Sequence, residues 1–192
     1  MKKVIIIGAT GSLAKFVINA ISSIDEISLT LFMRNRQKLH NSENVIVIEG
    51  DAMNYEDVRK AISGQDIVYL NLAGDLEPMT KNIVRAMQEN NVNRIIAISS
   101  IGIYDSPLKS VLKPYRKLAD IIEKSGLIYT ILRPNWFTNV DEVDYTITYK
   151  GEPETGTSIS RRSIAAFIAK IIENTELYKN ENLGISKPTV KK

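Results

Sequence analysis

Two glycines three residues apart, Gly8 and Gly11, are the first residues whose types and spacing suggest chemistry. They lie in VIIIGATGSLAKFV, where four apolar residues lead into Gly-Ala-Thr-Gly and a helical pattern begins at Leu13. Such a turn lets the backbone approach a dinucleotide diphosphate, and the helix N-terminus offers N–H groups to the phosphates. Ala14 occupies the third small-residue position of that fingerprint. An ordinary tight turn is the alternative, and the Gly-x-x-Gly spacing alone leaves both open.

The second candidate is a basic stretch, LTLFMRNRQKL, at the end of the next apolar run. Folds that prefer NAD place an acid there to hold the ribose 2′-hydroxyl. Here Met33 and then Arg34 occupy that place. A guanidinium binds a 2′-phosphate through a charge-assisted hydrogen bond worth roughly 1.5–3 kcal/mol, or about ten- to a hundredfold in affinity. Arg34 therefore predicts NADP(H) in preference to NAD(H), a solvated loop arginine being the alternative.

The elements that must position these residues alternate between apolar runs and amphipathic segments. The predicted strands span residues 4–7, 27–33, 45–48, 67–72, 95–98 and 129–132, and the predicted helices span 13–22, 55–62, 78–90 and 114–124. Strands that are apolar on both faces, separated by helices, indicate a parallel sheet covered on both sides. The fold class predicted is therefore α/β, a Rossmann-type doubly wound, mostly parallel sheet.

The rhythm breaks after Pro134. A short strand at 145–149, a helix at 164–172 capped by Ser160, and a terminal edge strand at 183–186 are predicted there. We therefore expect a single domain over residues 1–192, in which residues 134–192 form a small substrate-side cap and the terminal helix.

Composition excludes several functions. The chain of 192 residues has no cysteine, so disulfides, thiol nucleophiles and cysteine-bound zinc are excluded, and no cluster of metal ligands appears. The net charge of +3 is spread among acids, which argues against a nucleic-acid partner. The N-terminal apolar run is too short for a signal peptide or a membrane span, so a cytoplasmic location without membrane contact is expected. His40, the single histidine, is interpreted as a surface residue of a polar loop.

Six segments in order carry a family resemblance: GATGSLAKFV, EGDAMN, LNLAG, IAISSIGIYD, SGLIYTILRPNWF and SISRRSIAAFI. In this order and spacing the chain resembles the atypical short-chain dehydrogenase/reductases, in their NmrA-like, NAD(P)H-binding branch. The segments extend over nearly the whole chain, and the fold that the resemblance implies is the one that the alternation predicts.

The resemblance also implies a cofactor-binding role for residues at successive strand ends. These are Gly8, Thr10, Gly11, Ser12 and Leu13 around the diphosphate, Arg34 at the 2′-phosphate, Asp51 and Ala52 beside the adenine, Leu72, Ala73 and Gly74 along the adenine ribose, Ser99 and Ser100 near the nicotinamide, and Pro134, Trp136 and Phe137 over it. Strand ends are where open α/β sheets bind ligands. Asp51 has a second interpretation as a turn former, and Asn71 as a polar group satisfied within a buried strand.

The chain departs from the family in its catalytic pair. Short-chain reductases use Tyr-x-x-x-Lys, in which the lysine lowers the pKa of the tyrosine. Neither Tyr104 nor Tyr115 is followed by lysine four residues later, and Tyr115 itself occupies the position usual for the lysine. Lys113 and Lys117, two residues to either side, are expected to point off that helix face. Ser100 and Tyr115 remain as the candidate catalytic residues.

Two functions from different classes fit these residues. One is an oxidoreductase, a monomer or homodimer, that passes hydride from NADPH to a small quinone, flavin-like or carbonyl acceptor. A hydride acceptor such as a quinone can take its proton from water, so the missing pair does not exclude this function. The other is a non-catalytic NADP(H)-binding, redox-sensing or regulatory module. An aromatic wall over the nicotinamide, from Tyr104, Tyr115, Trp136 and Phe137, favours the first, whereas ordinary core packing is the alternative for these rings.

Overall fold

A central sheet of eight strands and a second sheet of two short strands form the framework. The computed structural model describes residues 1–38 and 45–189, so His40 lies outside the described residues. The strands are β1 (Lys2–Ile7), β2 (Ile27–Met33), β3 (Val45–Glu49), β4 (Ile67–Leu70), β5 (Arg94–Ile98), β6 (Ile128–Pro134), β7 (Phe137–Thr138), β8 (Thr146–Tyr149), β9 (Ile159–Ser160) and β10 (Glu181–Ser186). The helices are α1 (Ser12–Ser22), α2 (Tyr55–Ile62), α3 (Leu76–Glu89), α4 (Lys113–Glu123) and α5 (Arg161–Glu173).

The strand order is β3-β2-β1-β4-β5-β6-β10-β8, and every neighbouring pair except β10 with β8 is parallel. From β1 the chain builds outward through β2 and β3, and then returns to place β4 on the other side of β1. The connections therefore leave β1 and β4 in opposite directions, which opens a crevice at their carboxyl ends. The doubly wound α/β fold expected from the sequence is confirmed.

Helices cover both faces of the sheet, because successive strand residues point to opposite sides. In β1, Val4 and Ile6 enter the core beneath α1 and α5, whereas Ile5 and Ile7 enter the core beneath α2, α3 and α4. All four side chains are fully buried. This two-sided burial is why the strand reads as a continuous apolar run rather than as an alternating one.

The prediction that the last strand lies at the edge of the sheet is wrong. β10 lies inside the sheet, parallel to β6 on one side and antiparallel to β8 on the other, and β8 is the edge. Leu183 and Ile185 of β10 are fully buried, since helices and neighbouring strands enclose them. Most of the segment after Pro134 thus belongs to the body of the fold, with α5 packed against α1. No helix in the described part of the chain is long and apolar enough to cross a bilayer.

Candidate functional site

A cleft of about 1110 Å³ runs along the carboxyl ends of the parallel strands. Turns that follow six consecutive strands, β1 to β6, contribute to its walls. Apart from Tyr104 of the predicted aromatic wall, the residues that the sequence suggested for cofactor binding or catalysis all line this cleft: Gly8, Thr10, Gly11, Ser12, Leu13, Arg34, Asp51, Ala52, Leu72, Ala73, Gly74, Ser99, Ser100, Tyr115, Pro134, Trp136 and Phe137. The fold therefore brings together residues that are up to 129 positions apart, from Gly8 to Phe137.

The two glycines of the first turn are needed for different reasons. Gly8 has φ +90°, and a Cβ on it would lie 2.1 Å from the backbone carbonyl oxygen of Asn71. Gly8 is thus required by the turn and by the close approach of the β4 loop, whatever the cleft binds. Gly11 has an ordinary extended backbone, and its Cβ would lie 2.7 Å from the side-chain nitrogen Nδ2 of Asn71. This explains why the predicted strand 67–72 ends at Leu70: the chain leaves the sheet there and packs on the glycine turn.

The N-terminus of α1 differs from those of α2 and α5. The Asn54 side chain caps α2 by accepting from two backbone N–H groups, and the Ser160 side chain caps α5 by accepting from one, that of Ser163. At α1 the capping position is Gly11, no side chain caps the helix, and no acid lies in its first turn. The first-turn N–H groups and the positive end of the helix dipole are therefore directed into the cleft without an anionic partner. This donor set fits the diphosphate of a dinucleotide.

Arg34 stands at the end of β2, on the adenine side predicted for the cleft. It is exposed, and no carboxylate of the described residues lies within 4.0 Å of its guanidinium. Its charge is thus available to an anionic ligand in the cleft, such as a 2′-phosphate.

The loop after β3 is held by its own hydrogen bonds. The Asp51 carboxylate accepts from the N–H of Met53 at 2.9 Å, and the Asp51 N–H donates to Asp57 Oδ2 at 3.1 Å. Asn82 donates to the carbonyl oxygens of Ala52 and Met53, at 3.1 and 3.0 Å. Asp51 therefore stabilises the turn, as its second interpretation proposed. Because Asp51 also lines the cleft, its role beside the adenine stays a prediction.

At the opposite end of the cleft, both serine hydroxyls donate to backbone carbonyls. Ser99 Oγ donates to the Tyr115 oxygen at 3.0 Å and joins the end of β5 to the first turn of α4. Ser100 Oγ donates to the Ile101 oxygen at 3.2 Å. The Tyr115 hydroxyl makes no hydrogen bond to any residue the structure describes and is therefore available to a ligand.

The lysines that flank Tyr115 on α4 lie outside the cleft wall, as the helix geometry predicts. Lys117 pairs with Glu77 of α3, which Lys81 also contacts. Hydrogen bonds from these two lysines lower the pKa of the Glu77 carboxyl to about 2. Among the described residues, no lysine donates a hydrogen bond to the Tyr115 hydroxyl, although Lys109 lines the same cleft.

Tyr104 does not belong to the aromatic wall, contrary to the prediction. Its hydroxyl accepts from Asn182 Nδ2 at 2.8 Å and donates to Glu123 at 3.3 Å, away from the cleft wall. Burial, with a smaller effect of Glu123, raises the pKa of this phenol. Trp136 is 79% exposed and Phe137 is 37% exposed, so these two rings are not packed in the core and stand at the cleft wall.

Sequence reasoning missed a buried ion pair beneath the cleft. Arg133, only 1% exposed, donates through Nε to Glu154 at 2.7 Å and through Nη1 to the backbone and side-chain oxygens of Asn182, both at 2.6 Å. Glu154 lines the cleft and accepts from the N–H of Gly102 at 3.1 Å. An arginine inside the apolar run YTILRP was the available signal, but its partner lies 21 residues further along the chain.

Comparison with known proteins agrees with this geometry. The family model described as NAD(P)H-binding matches residues 8–175. An isoflavone reductase homolog, A622, from Nicotiana glauca is 28% identical over 154 residues, which cover 71% of this chain and 49% of that protein. The chain thus spans about half the length of this curated relative.

Solved structures of NAD(P)-binding proteins have the same fold as this chain. A Rossmann-fold NAD(P)-binding family protein from Shigella flexneri is 42% identical, with a TM-score of 0.92 over 100% of this chain and 96% of that one. A short-chain dehydrogenase/reductase from Veillonella parvula in complex with NADP is 24% identical, with a TM-score of 0.88 over 97% of this chain and 95% of that one. At 24% identity, the similarity to the Veillonella parvula protein shows a shared fold only.

Proposed function

We propose that this chain, which belongs to the NAD(P)H-binding family, is an atypical short-chain oxidoreductase that reduces a small quinone, flavin-like or carbonyl acceptor with NADPH. The observation that carries the proposal is one continuous cleft. It extends from the exposed cation Arg34, past the uncapped N-terminus of α1, to the exposed ring of Trp136. A cation, an anion-binding helix end and an aromatic surface in this order match the phosphate, diphosphate and nicotinamide of one dinucleotide.

Two observations support NADPH rather than NADH. Arg34 occupies the place where an acid would bind a 2′-hydroxyl and repel a 2′-phosphate. The Veillonella parvula protein of the same fold binds NADP. When bound, the reduced nicotinamide supplies a hydride, and a quinone acceptor can take the accompanying proton from water.

The residues at the nicotinamide end favour an acceptor that needs no acid from the protein. Lys117 is paired with Glu77, so it is unavailable to activate Tyr115. The Ser100 hydroxyl donates a hydrogen bond to the backbone carbonyl of Ile101. Quinones and flavins accept hydride without a protein acid, whereas reduction of an ordinary ketone to an alcohol depends on one. Trp136 offers a large exposed ring on which a flat acceptor can stack.

The test of the proposed function is NADPH oxidation, measured by absorbance with a panel of quinones, flavins and aldehydes.

Trp136→Ala should raise the KM for a quinone roughly two- to tenfold, the range expected for one aromatic stacking contact. Val140→Ala is the matched control, because Val140 is 54% exposed but does not line the cleft. An equal KM in the two variants would argue against stacking on Trp136. NADPH that binds but is consumed with none of the acceptors would argue against the enzyme.

That last outcome would favour the second candidate, a non-catalytic redox-sensing or regulatory module. The observation in its favour is that the hydroxyls of Ser99 and Ser100 both donate to backbone carbonyls, while no lysine of the described residues donates a hydrogen bond to Tyr115. A binder of this kind would distinguish NADPH from NADP⁺ by affinity. Calorimetric titration with each form separates the two candidates, since a redox reporter must bind them unequally.

A further inference from the structure

Arg161, the first residue of α5, extends its guanidinium to the turn between β1 and α1. Its Nε lies 3.4 Å from Ser12 Oγ. Its Nη1 donates to the carbonyl oxygen of Thr138 at 3.3 Å and to Asn139 Oδ1 at 2.8 Å. The guanidinium carbon also lies 5.0 Å from the ring centre of Phe137. One side chain thus connects the start of α1 with the segment that follows β6.

Buried elements fix this position. Ser160, fully buried, caps α5 by accepting from the N–H of Ser163 at 2.9 Å and donates to the carbonyl oxygen of Glu142 at 2.7 Å. β9 ends at the same serine and pairs in parallel with β7, where Thr138 lies opposite Ser160. The helix itself packs along α1. Arg161 is therefore placed beside the α1 N-terminus by the fold and not by a flexible loop.

The charge of Arg161 has no counterpart in the described part of the chain. No carboxylate there lies within 4.0 Å of it, and its Nη2 atom has no hydrogen-bond partner. The first turn of α1 contains no acid, and neither does the first turn of α5. A cation next to the positive ends of two helix dipoles is unfavourable unless an anion lies between them. The neighbouring Arg162 differs, since it is exposed and pairs with Asp141.

We propose that Arg161 binds the diphosphate of the dinucleotide together with the first-turn N–H groups of α1. This inference rests on the proposed function, because it requires NADP(H) in the cleft. The diphosphate is common to NADPH and NADH, so Arg161 contributes equally to both, whereas Arg34 contributes to NADPH alone. Through Thr138 and Asn139 the same guanidinium also holds the strand that follows Trp136 against the bound cofactor.

The experiment compares Arg161→Met with Arg162→Met as the matched control. Calorimetry measures the affinity of each variant for NADPH, for NADH and for 2′-AMP, which carries the 2′-phosphate but no diphosphate. Arg161→Met should weaken both dinucleotides about ten- to a hundredfold, the range of a charge-assisted contact, and leave 2′-AMP binding unchanged. Arg162→Met should change none of the three affinities.

A second variant and a salt series protect the test against a simple folding defect. Arg161→Lys keeps a cation but loses the guanidinium fork, so it should fall between the wild type and Arg161→Met. The salt dependence of NADH binding should be smaller in Arg161→Met than in the wild type, since one phosphate contact is gone.

Three outcomes would overturn the inference. Unchanged dinucleotide affinity in Arg161→Met shows that the guanidinium does not touch the diphosphate, and this leaves the proposed function intact. Equal weakening of 2′-AMP shows that the residue acts only by holding the fold. A wild type that binds neither dinucleotide overturns this inference together with the proposed function.

Discussion

Gly8 and Gly11 stand in one short motif, yet the structure gives them different physical roles. The left-handed backbone of Gly8 and the Asn71 carbonyl above it leave no room for a side chain. The space at Gly11 is bounded by the Asn71 amide, which can rotate away, and by the cleft. A motif of two glycines thus combines one residue that the fold requires with one that we expect the ligand to require.

Substitutions at the two glycines should separate these roles. Gly8→Ala should lower the free energy of unfolding by roughly 2–5 kcal/mol, because it adds backbone strain to a steric clash. Gly11→Val should give a folded protein that no longer binds NADPH, since its branched side chain occupies the space over the first turn of α1. Urea unfolding and calorimetry measure the two effects. Gly11→Val with wild-type affinity would remove the α1 N-terminus from the binding site.

Tyr115 offers a second prediction. Its hydroxyl can hydrogen-bond the nicotinamide ribose, but no lysine of the described residues donates a hydrogen bond to it. We expect Tyr115→Phe to weaken NADPH binding by about 0.5–1.5 kcal/mol, the range of one neutral hydrogen bond. Quinone reduction should fall by less than about tenfold, whereas loss of a general acid lowers a rate by about a hundredfold or more. Steady-state kinetics with intact cofactor binding decide between these values.

The residues of the cleft could be predicted because a parallel sheet gathers its strand ends at one edge. The strand ends, together with the family resemblance that named Ser99 and Trp136, therefore predicted that these residues and Arg34 lie along one cleft. Arg161 and Glu154 could not be found in this way. Their partners lie 149 and 52 residues away, at Ser12 and Gly102, and a residue type alone does not reveal a distant partner.

At the scale of elements, β10 shows the limit of local patterns. Its apolar residues correctly predicted a strand, but they contain no information on which strands lie beside it. Long-range contacts decide that position. Gly184 of β10 lies opposite Arg133 of β6. The buried guanidinium of that arginine binds Asn182 of β10, 49 residues further along the chain.

The ion pair of Arg133 with Glu154 should therefore stabilise the end of the sheet that contains β6, β10 and β8. Arg133→Met should lower the free energy of unfolding by about 3–5 kcal/mol, because it leaves polar partners buried without their cation. Glu154→Gln should cost less, since Glu154 is 22% exposed and glutamine still accepts a hydrogen bond. The double variant should lose less than the sum of both. Additive losses in urea denaturation would show that the two side chains do not act as a pair.

At the scale of the whole molecule, the same elements complete the sheet and the cleft. The segment after β6 supplies β8, β10 and α5 to the body of the fold, while Asn135, Trp136 and Phe137 at its start line the cleft. A dinucleotide in the cleft would contact turns from six parallel strands, and the proposed contact with Arg161, which lies beside Ser12, would add the last helix. Binding at that many elements requires the folded chain, so the cofactor should stabilise the entire domain.

The size of this stabilisation follows from mass action. NADPH at 100 times its Kd should add about 2.7 kcal/mol to the free energy of unfolding. For a domain of this size, Tm rises about 2–4 °C per kcal/mol, so we expect Tm to increase by about 5–11 °C.

NADH at the same concentration should raise Tm less than NADPH does, because Arg34 then has no 2′-phosphate to bind. Arg34→Ala should remove the difference between the two cofactors, whereas Arg36→Ala, which alters an exposed arginine outside the cleft wall, should preserve it. Equal Tm values with both cofactors in the wild type would contradict the preference for NADPH, and no increase with either would contradict dinucleotide binding itself.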